Sequence, residues 1–272
     1  MCRSPLMVLV CLAVSCAFAT PAQAAGAAAP AASDPPAAQP GEKGAETQST
    51  AASADGESTQ TLAAPEQAPL FAAGSDILAT SAYVWRGFVP GGFSVQPALW
   101  NTVGRLTVSS WMSFANFDGP MTEHDLTINY TTPVPHGDMS IGYVNYAFPG
   151  SSEGAHSQEV YVGYTHRSPF SPTLRVFHDL DVGSGTYVSG SLSYTYAVTS
   201  ARLEFTPSAA IGYNHRQWVD ASTWSDLNVG ITVALPAILE RMRVAPFLFR
   251  SQSLNRAEFP SRWYGGVGIS LK

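Results

Sequence analysis

The stretch "ARLEFTPSAAIGYN", Ala201 to Asn214, sets Leu203, Phe205, Ala209, Ile211 and Tyr213 on one alternating series and Arg202, Glu204, Thr206, Ser208 and Asn214 on the other. A pleated strand sorts side chains this way, because successive residues point to opposite faces; a helix would instead group every third or fourth residue. The same period of two recurs further on. Leu227, Val229, Ile231, Val233 and Leu235 oppose Asp226, Asn228 and Thr232, while Val188, Leu192, Tyr194 and Tyr196 oppose Ser189, Ser191, Ser193 and Thr195. Near the C-terminus, Trp263, Val267, Ile269 and Leu271 oppose Arg262, Tyr264 and Ser270.

Segments of this kind, broken by Gly, Pro, Asn, Asp and Ser, predict an all-β chain of about twelve strands. Their expected bounds are 76–88, 93–101, 104–115, 122–132, 138–148, 157–167, 172–182, 186–197, 201–214, 223–235, 241–251 and 261–272. The segments 138–148 and 241–251 are apolar on both faces, so the pattern gives them no orientation. One short helical candidate, Pro236 to Met242, interrupts the series. After Asp76 no run of apolar residues is long enough for a transmembrane helix.

Residues 1–24 read as a secretory signal peptide: Arg3, an apolar run from Leu6 to Phe18, and an Ala22-Gln23-Ala24 cleavage site. All three cysteines, Cys2, Cys11 and Cys16, fall inside it, so the mature chain is expected to have neither disulfides nor thiolate chemistry. Residues 25–75, rich in Ala, Pro, Ser and Gly, have too little apolar surface to offset ordering entropy and are expected to form a disordered linker. A role for this linker as a tether to the cell wall stays open beside a role as a spacer.

From Asp76 onward the chain carries 12 basic and 14 acidic residues, Lys272 being its one lysine. That near balance suggests neither nucleic acid nor an acidic polymer as partner. Charge is also sparse, 26 residues in 197, about half the roughly 25% of an ordinary soluble domain. The connections alternate as well. Those after odd strands ("FDGPMT", "PGSSEGAHS", "RQWVDAS", "QSLNRAEFP") are mostly long and polar, and those after even strands ("NTV", "PVPHG", "SPFS", "VTS") are short. Short turns at one end and longer loops at the other, with an even strand number, fit a transmembrane antiparallel up-and-down barrel.

On that reading Arg86, within "SAYVWRGFVPGG" (Ser81 to Gly92), must point inward, since an arginine at the lipid-facing midplane costs about 2–4 kcal/mol. Tyr83 and Trp85 would then face lipid near the outer end. The rule extends along the chain. Gln96, Arg105, Asp125, Asn129 and Glu159 are expected to line the interior, as are Arg167, Arg175, Asp179 and Asp181, and finally Arg202, Glu204, Asp226 and Arg262. Such a lumen is charge-balanced and wet. Twelve strands lie between the eight that side chains fill and the sixteen that leave an open channel, so a narrow pore and a plugged, rigid barrel both remain.

At "YVWRG" (Tyr83 to Gly87), "QPAL" (Gln96 to Leu99) and "RLTVSSWMSF" (Arg105 to Phe114) the chain resembles the TorF-type porins of Gram-negative bacteria. The resemblance spans residues 76 to 117 and implies an outer-membrane channel, with Arg86 and Gln96 at the matching positions. The partners expected are the lipid bilayer and small polar solutes, and no cofactor is expected.

Enzymatic readings are weaker. His166-Arg167-Ser168 has the His-x-Ser spacing that a lipid hydrolase could use, but it falls at a turn, with His166 on the lipid face. His124, Asp125, His156, His215 and Asp220 would have to converge at the rim to form a protease-like site. The six histidines show no metal-ligand spacing.

Overall fold

The computed structural model of the chain describes residues 71–149, 151, 156–237 and 241–271. The signal peptide and nearly all of the linker lie outside the described residues. Residues 71–75, read above as linker, instead belong to the first strand, because they continue its ladder against the second wall strand from Phe71↔Val103 to Ser75↔Leu99.

The architecture is a closed antiparallel barrel. Its strands are β1 (Phe71–Thr80), β4 (Ser94–Val103), β5 (Leu106–Ala115), β6 (Met121–Val134), β7 (Gly137–Ala147), β8 (His156–His166), β9 (Thr173–Asp179), β10 (Thr186–Ser193) with its continuation β11 (Tyr196–Val198), β12 (Leu203–His215), β13 (Ser222–Ala234), β14 (Met242–Ser253) and β15 (Arg262–Leu271). Each pairs with its neighbours in sequence, β1 pairs with β15, and counting β10 and β11 as one interrupted strand gives twelve staves. Two further strands, β2 (Tyr83–Trp85) and β3 (Phe88–Gly91), form a separate hairpin. No helix occurs among the described residues; Met242, in the helical candidate, begins β14, and 238–240 lie outside the description.

Turns at one end are tight. Val103 pairs with Leu106 across Gly104-Arg105, and Val134 with Gly137 across Pro135-His136. The two-residue links use left-handed backbone at Gly104 (φ 60°) and His136 (φ 63°), which matches the twist of the flanking strands. The opposite end carries the longest excursion, from Thr80 to Ser94, although two turn-end links, after His166 and after Ala234, are longer than the tight turns.

The side chains are arranged inside out relative to a soluble barrel. Leu99, Ile128, Ile141, Val162, Leu174 and Val229, on six different strands, are exposed on the outer face. Buried residues on the inner face include many polar ones, Gln96, Glu123, Asp125, Glu159, Asp179 and Asp226 among them, beside an apolar cluster that contains Ala98, Trp111, Val144 and Tyr146. The period of two is thus kept along most of the wall, broken at register shifts in β5–β6 and β12–β13, with apolar groups outside and a mixed, largely polar interior. The two ambiguous segments are resolved by the same test. In β7, Val144 and Tyr146 are buried inward while Met139 and Ile141 face out; in β14, Ser251 and Ser253 are buried inward while Leu248 faces out.

Candidate functional site

The chain leaves the barrel wall at Thr80, whose partner in the next wall strand is Ser94. Ser81 still bonds Gly265 of β15, and the hairpin that follows, β2 and β3, folds into the lumen at the loop end. The cause is local: Trp85 pairs with Phe88 across Arg86-Gly87, and both linking residues have positive φ, 46° and 89°, the signature of a two-residue hairpin turn. Segment 76–88 is therefore not one strand. Tyr83 and Trp85 do not face lipid, as the alternation suggested; they are 3% and 1% exposed inside the barrel. Period-two counting fails here because it presumes an unbroken strand, and the turn at Arg86 breaks it.

Arg86 does point inward, but from the tip of this hairpin rather than from the wall. Its guanidinium meets Glu159 of β8 through two parallel bonds, Nη1 to Oε2 at 2.7 Å and Nη2 to Oε1 at 2.9 Å, and Nη1 also donates to Gln217 Oε1 at 2.8 Å. Glu159, with no exposed surface, also accepts from Tyr146 Oη at 2.9 Å and from Gln217 Nε2 at 2.5 Å. The carboxylate is fully satisfied, the condition under which a buried charge is tolerable. The rings of Phe177, Trp85 and Tyr187 surround the guanidinium carbon at 4.0, 4.4 and 4.8 Å from their centroids, adding cation–π attraction in a desolvated place.

A second loop completes the knot. Left-handed backbone at Arg216 and Trp218 (φ 59° and 61°) turns Gln217 inward, and Asn214 holds it there by accepting from Gln217 N at 2.8 Å and donating to Gln217 O at 3.0 Å. Deeper in the hairpin, Tyr83 Oη donates to Glu123 at 3.0 Å. Phe88 lies edge-on to the buried Phe259 at 4.8 Å, and Phe148 meets Trp218 at 5.9 Å. These rings cap the loop end.

Other buried acids are held by neutral donors. Ser157 Oγ lies 2.8 and 2.9 Å from the two oxygens of Asp179, which also accepts from the backbone of Asp181 and Ser184. Asp226 accepts from Ser251 at 2.7 Å and from Ser225 at 3.1 Å. A register shift between β12 and β13 lies beside this pair, and both Ser225 and Asp226 are buried. Asp125 Oδ1 is buried with no hydrogen-bond partner. Toward the turn end, inner residues such as Thr102, Thr131, Ser140 and Ser193 are half-buried. The interior is closed at the loop end and more accessible at the turn end.

The residues expected to line the interior fall into three groups. Gln96, Asp125, Glu159, Asp179 and Asp226 are buried on the inner wall, and Arg175 and Asn129 share that face. Arg86 belongs to the hairpin. The third group sits at the rims, Glu204 and Arg262 still on the inward parity of their strands. Arg105 and Arg202 occupy turns, Arg262 is exposed at the start of β15, and Arg167 pairs with Asp138 in the open at 2.6 Å. Asp181 lies in a loop beside His156 at 3.3 Å, and Glu204 reaches Arg243 at 3.2 Å. Hydrogen bonding to Asp138, and then the charge of that carboxylate, raise the Arg167 guanidinium above its ordinary pKa. Of the six arginines expected inside, Arg86 and Arg175 lie within and Arg105, Arg167, Arg202 and Arg262 lie at the rims, so the inner wall among the described residues carries more carboxylates than guanidiniums.

Three contributors were missed. Glu123 shares the inward parity of Asp125, so counting by two would have found it. Gln217 lies in a loop, and no periodicity signals that a loop folds inward. Arg250 faces outward from one of the two unassigned segments.

The enzymatic candidates are spread over β6, β8, β12 and the loop after it. Asp125 is buried inside while His124, next to it, bonds Ser110 Oγ on the outer face at 2.9 Å. His215 bonds Ser222 at 2.7 Å, and His166 stacks on His136 at 6.4 Å, with no side-chain bond to Ser168 among the described residues. Comparison of the chain with protein-family models and with curated proteins gives no match.

Proposed function

We propose that the protein is an outer-membrane β-barrel of a Gram-negative bacterium that acts as an occluded channel: small polar solutes pass when the hairpin at 82–91 leaves the lumen. The observation that carries this reading is the inside-out distribution, with exposed leucine, isoleucine and valine around the outer face and carboxylates, amides and hydroxyls within. Monomeric soluble proteins rarely expose contiguous apolar patches beyond a few hundred Å², and a polar interior needs water or internal partners. The closed, even-numbered barrel with short turns at one end is compatible with this location. The resemblance of residues 76–117 to the TorF-type porins agrees with it. The chemistry called for is passive diffusion, with no bond made or broken.

One observation favours a second reading, a barrel that never conducts: Glu159, Ser157, Asn214, Gln217 and Ser251 have no exposed surface, so the loop end is sealed in this state. Planar-bilayer recording on refolded protein separates the two. An occluded channel is nearly silent as wild type and conducts in steps when residues 82–91 are replaced by a short Gly-Ser link. Silence in both proteins indicates a structural barrel, and steady wild-type conductance insensitive to the replacement indicates an open pore.

A further inference from the structure

The rule that strand arginines avoid the lipid face has an exception in Arg250. It follows Leu248 on the outward parity of β14, while Ser251 and Ser253 point inward and are buried. Its ladder partners are Val229 and Trp263, both exposed on the outer face. The guanidinium lies 5.6 Å from the Trp263 ring centroid, and Nη2 donates to Gln252 Oε1 at 3.0 Å. No carboxylate pairs with it among the described residues. An arginine carries five N–H donors, and Gln252 is the one side-chain acceptor bonded to this half-buried guanidinium among the described residues.

The depth is informative. Arg250 stands three residues before the loop end of β14 at Ser253, roughly 8 Å below it for a strand rising about 3.4 Å per residue and tilted about 40°. Trp224 and Trp263 are exposed on the same side, as in an aromatic girdle at a membrane interface. The polar outward pair His178–Thr186 lies at the loop ends of its two strands, and His124 lies in the loop-side third of β6, where the apolar band gives way to polar groups. A cation placed there, with free donors and an aromatic flank, is matched by an anion on the lipid side.

We infer that Arg250, flanked by Trp263 and Gln252, binds the phosphate of an anionic lipid headgroup in the outer leaflet. Guanidinium and phosphate form two parallel charge-assisted hydrogen bonds, and the ring of Trp263 shields the pair from water. The inference rests on the membrane reading above. It adds a headgroup class and a position on the barrel wall.

The test uses the full chain refolded into phosphatidylcholine vesicles with and without lipid A, with thermal unfolding followed by gel mobility. Lipid A raises the wild-type midpoint, and Arg250→Gln loses that rise, whereas Arg250→Lys keeps part of it. In phosphatidylcholine alone Arg250→Gln unfolds no earlier than wild type, which shows that it folds. Free inorganic phosphate at matched concentration leaves the wild-type midpoint unchanged; a rise equal to that from lipid A overturns the assignment to lipid. A lipid A effect retained in full by Arg250→Gln overturns the inference and leaves the membrane reading standing. Failure of wild type to enter vesicles of either composition overturns both.

Discussion

Replacing Arg86 by methionine removes the cation from a carboxylate that has no exposed surface. Glu159 would keep Tyr146 Oη and Gln217 Nε2 as donors but lose both guanidinium bonds. Breaking a buried ion pair by removing one partner costs about 3–5 kcal/mol, because the surviving charge is left uncompensated. The hairpin has other anchors. Tyr83 and Trp85 are almost completely buried; aromatic side chains bury roughly 150–250 Å² each, which at about 25 cal/mol per Å² is worth about 4–6 kcal/mol apiece as an upper bound. The two rings therefore outweigh the ion pair. Arg86→Met is expected to raise the fraction of time the hairpin is displaced, by roughly 10²-fold to a few thousand-fold from the factor of ten per about 1.4 kcal/mol, without leaving the barrel open at rest. Single-channel recording should show brief openings that are absent in wild type, and denaturant titration in vesicles should show the loss of stability. Combining Arg86→Met with Glu159→Gln restores much of the stability, since a neutral pair no longer carries an unmatched charge. A double-mutant cycle then gives a coupling of about 2 kcal/mol or more. Coupling below about 0.5 kcal/mol, or an Arg86→Met protein matching wild type in both assays, would refute the reasoning that the Arg86–Glu159 pair holds the hairpin in place.

Three further outcomes follow from the same geometry. Gly87→Ala forces a β-carbon onto backbone at φ +89°, with Phe259 at 3.1 Å and Ser225 at 3.2 Å; a loss of about 1–3 kcal/mol is expected in vesicle unfolding, with more frequent channel openings. Tyr83→Phe takes a donor from buried Glu123 and should cost about 1–3 kcal/mol, and no change would mean that this bond does not anchor the hairpin. Val162→Arg, on the outer face, should lower stability in vesicles by about 2–4 kcal/mol if it lies near the midplane, whereas Ser191→Arg, on the inner parity, should cost much less. The reverse order would place water outside and oil within.

Most of the wall was legible as a one-dimensional pattern. In β12 and β13, alternate residues named the two faces, the turns named the ends, and the number of staves came out at twelve. Arg86 was read inward for a sound reason, the cost of charge in hydrocarbon, yet on the wrong element. The Arg-Gly step at 86–87 was the available clue to the turn, because a second-position glycine suits a two-residue hairpin.

By itself the sequence determined what repeats along the chain: the pleat, its polar and apolar sides, the parity of long and short connections, and the scarcity of charge. These are consequences of a single backbone period, and each strand carries its own copy of the information. Only the tertiary structure decided that the segment after Thr80 turns into the barrel, that Gln217 comes back from a distant loop to meet it, and that Glu159 lies opposite Arg86. It also decided that Arg250 faces outward. The physical reason is that ion pairs, ring contacts and a plug depend on which strands stand across the lumen from one another. That is set by closure, register and shear of the whole barrel, and no local period encodes it.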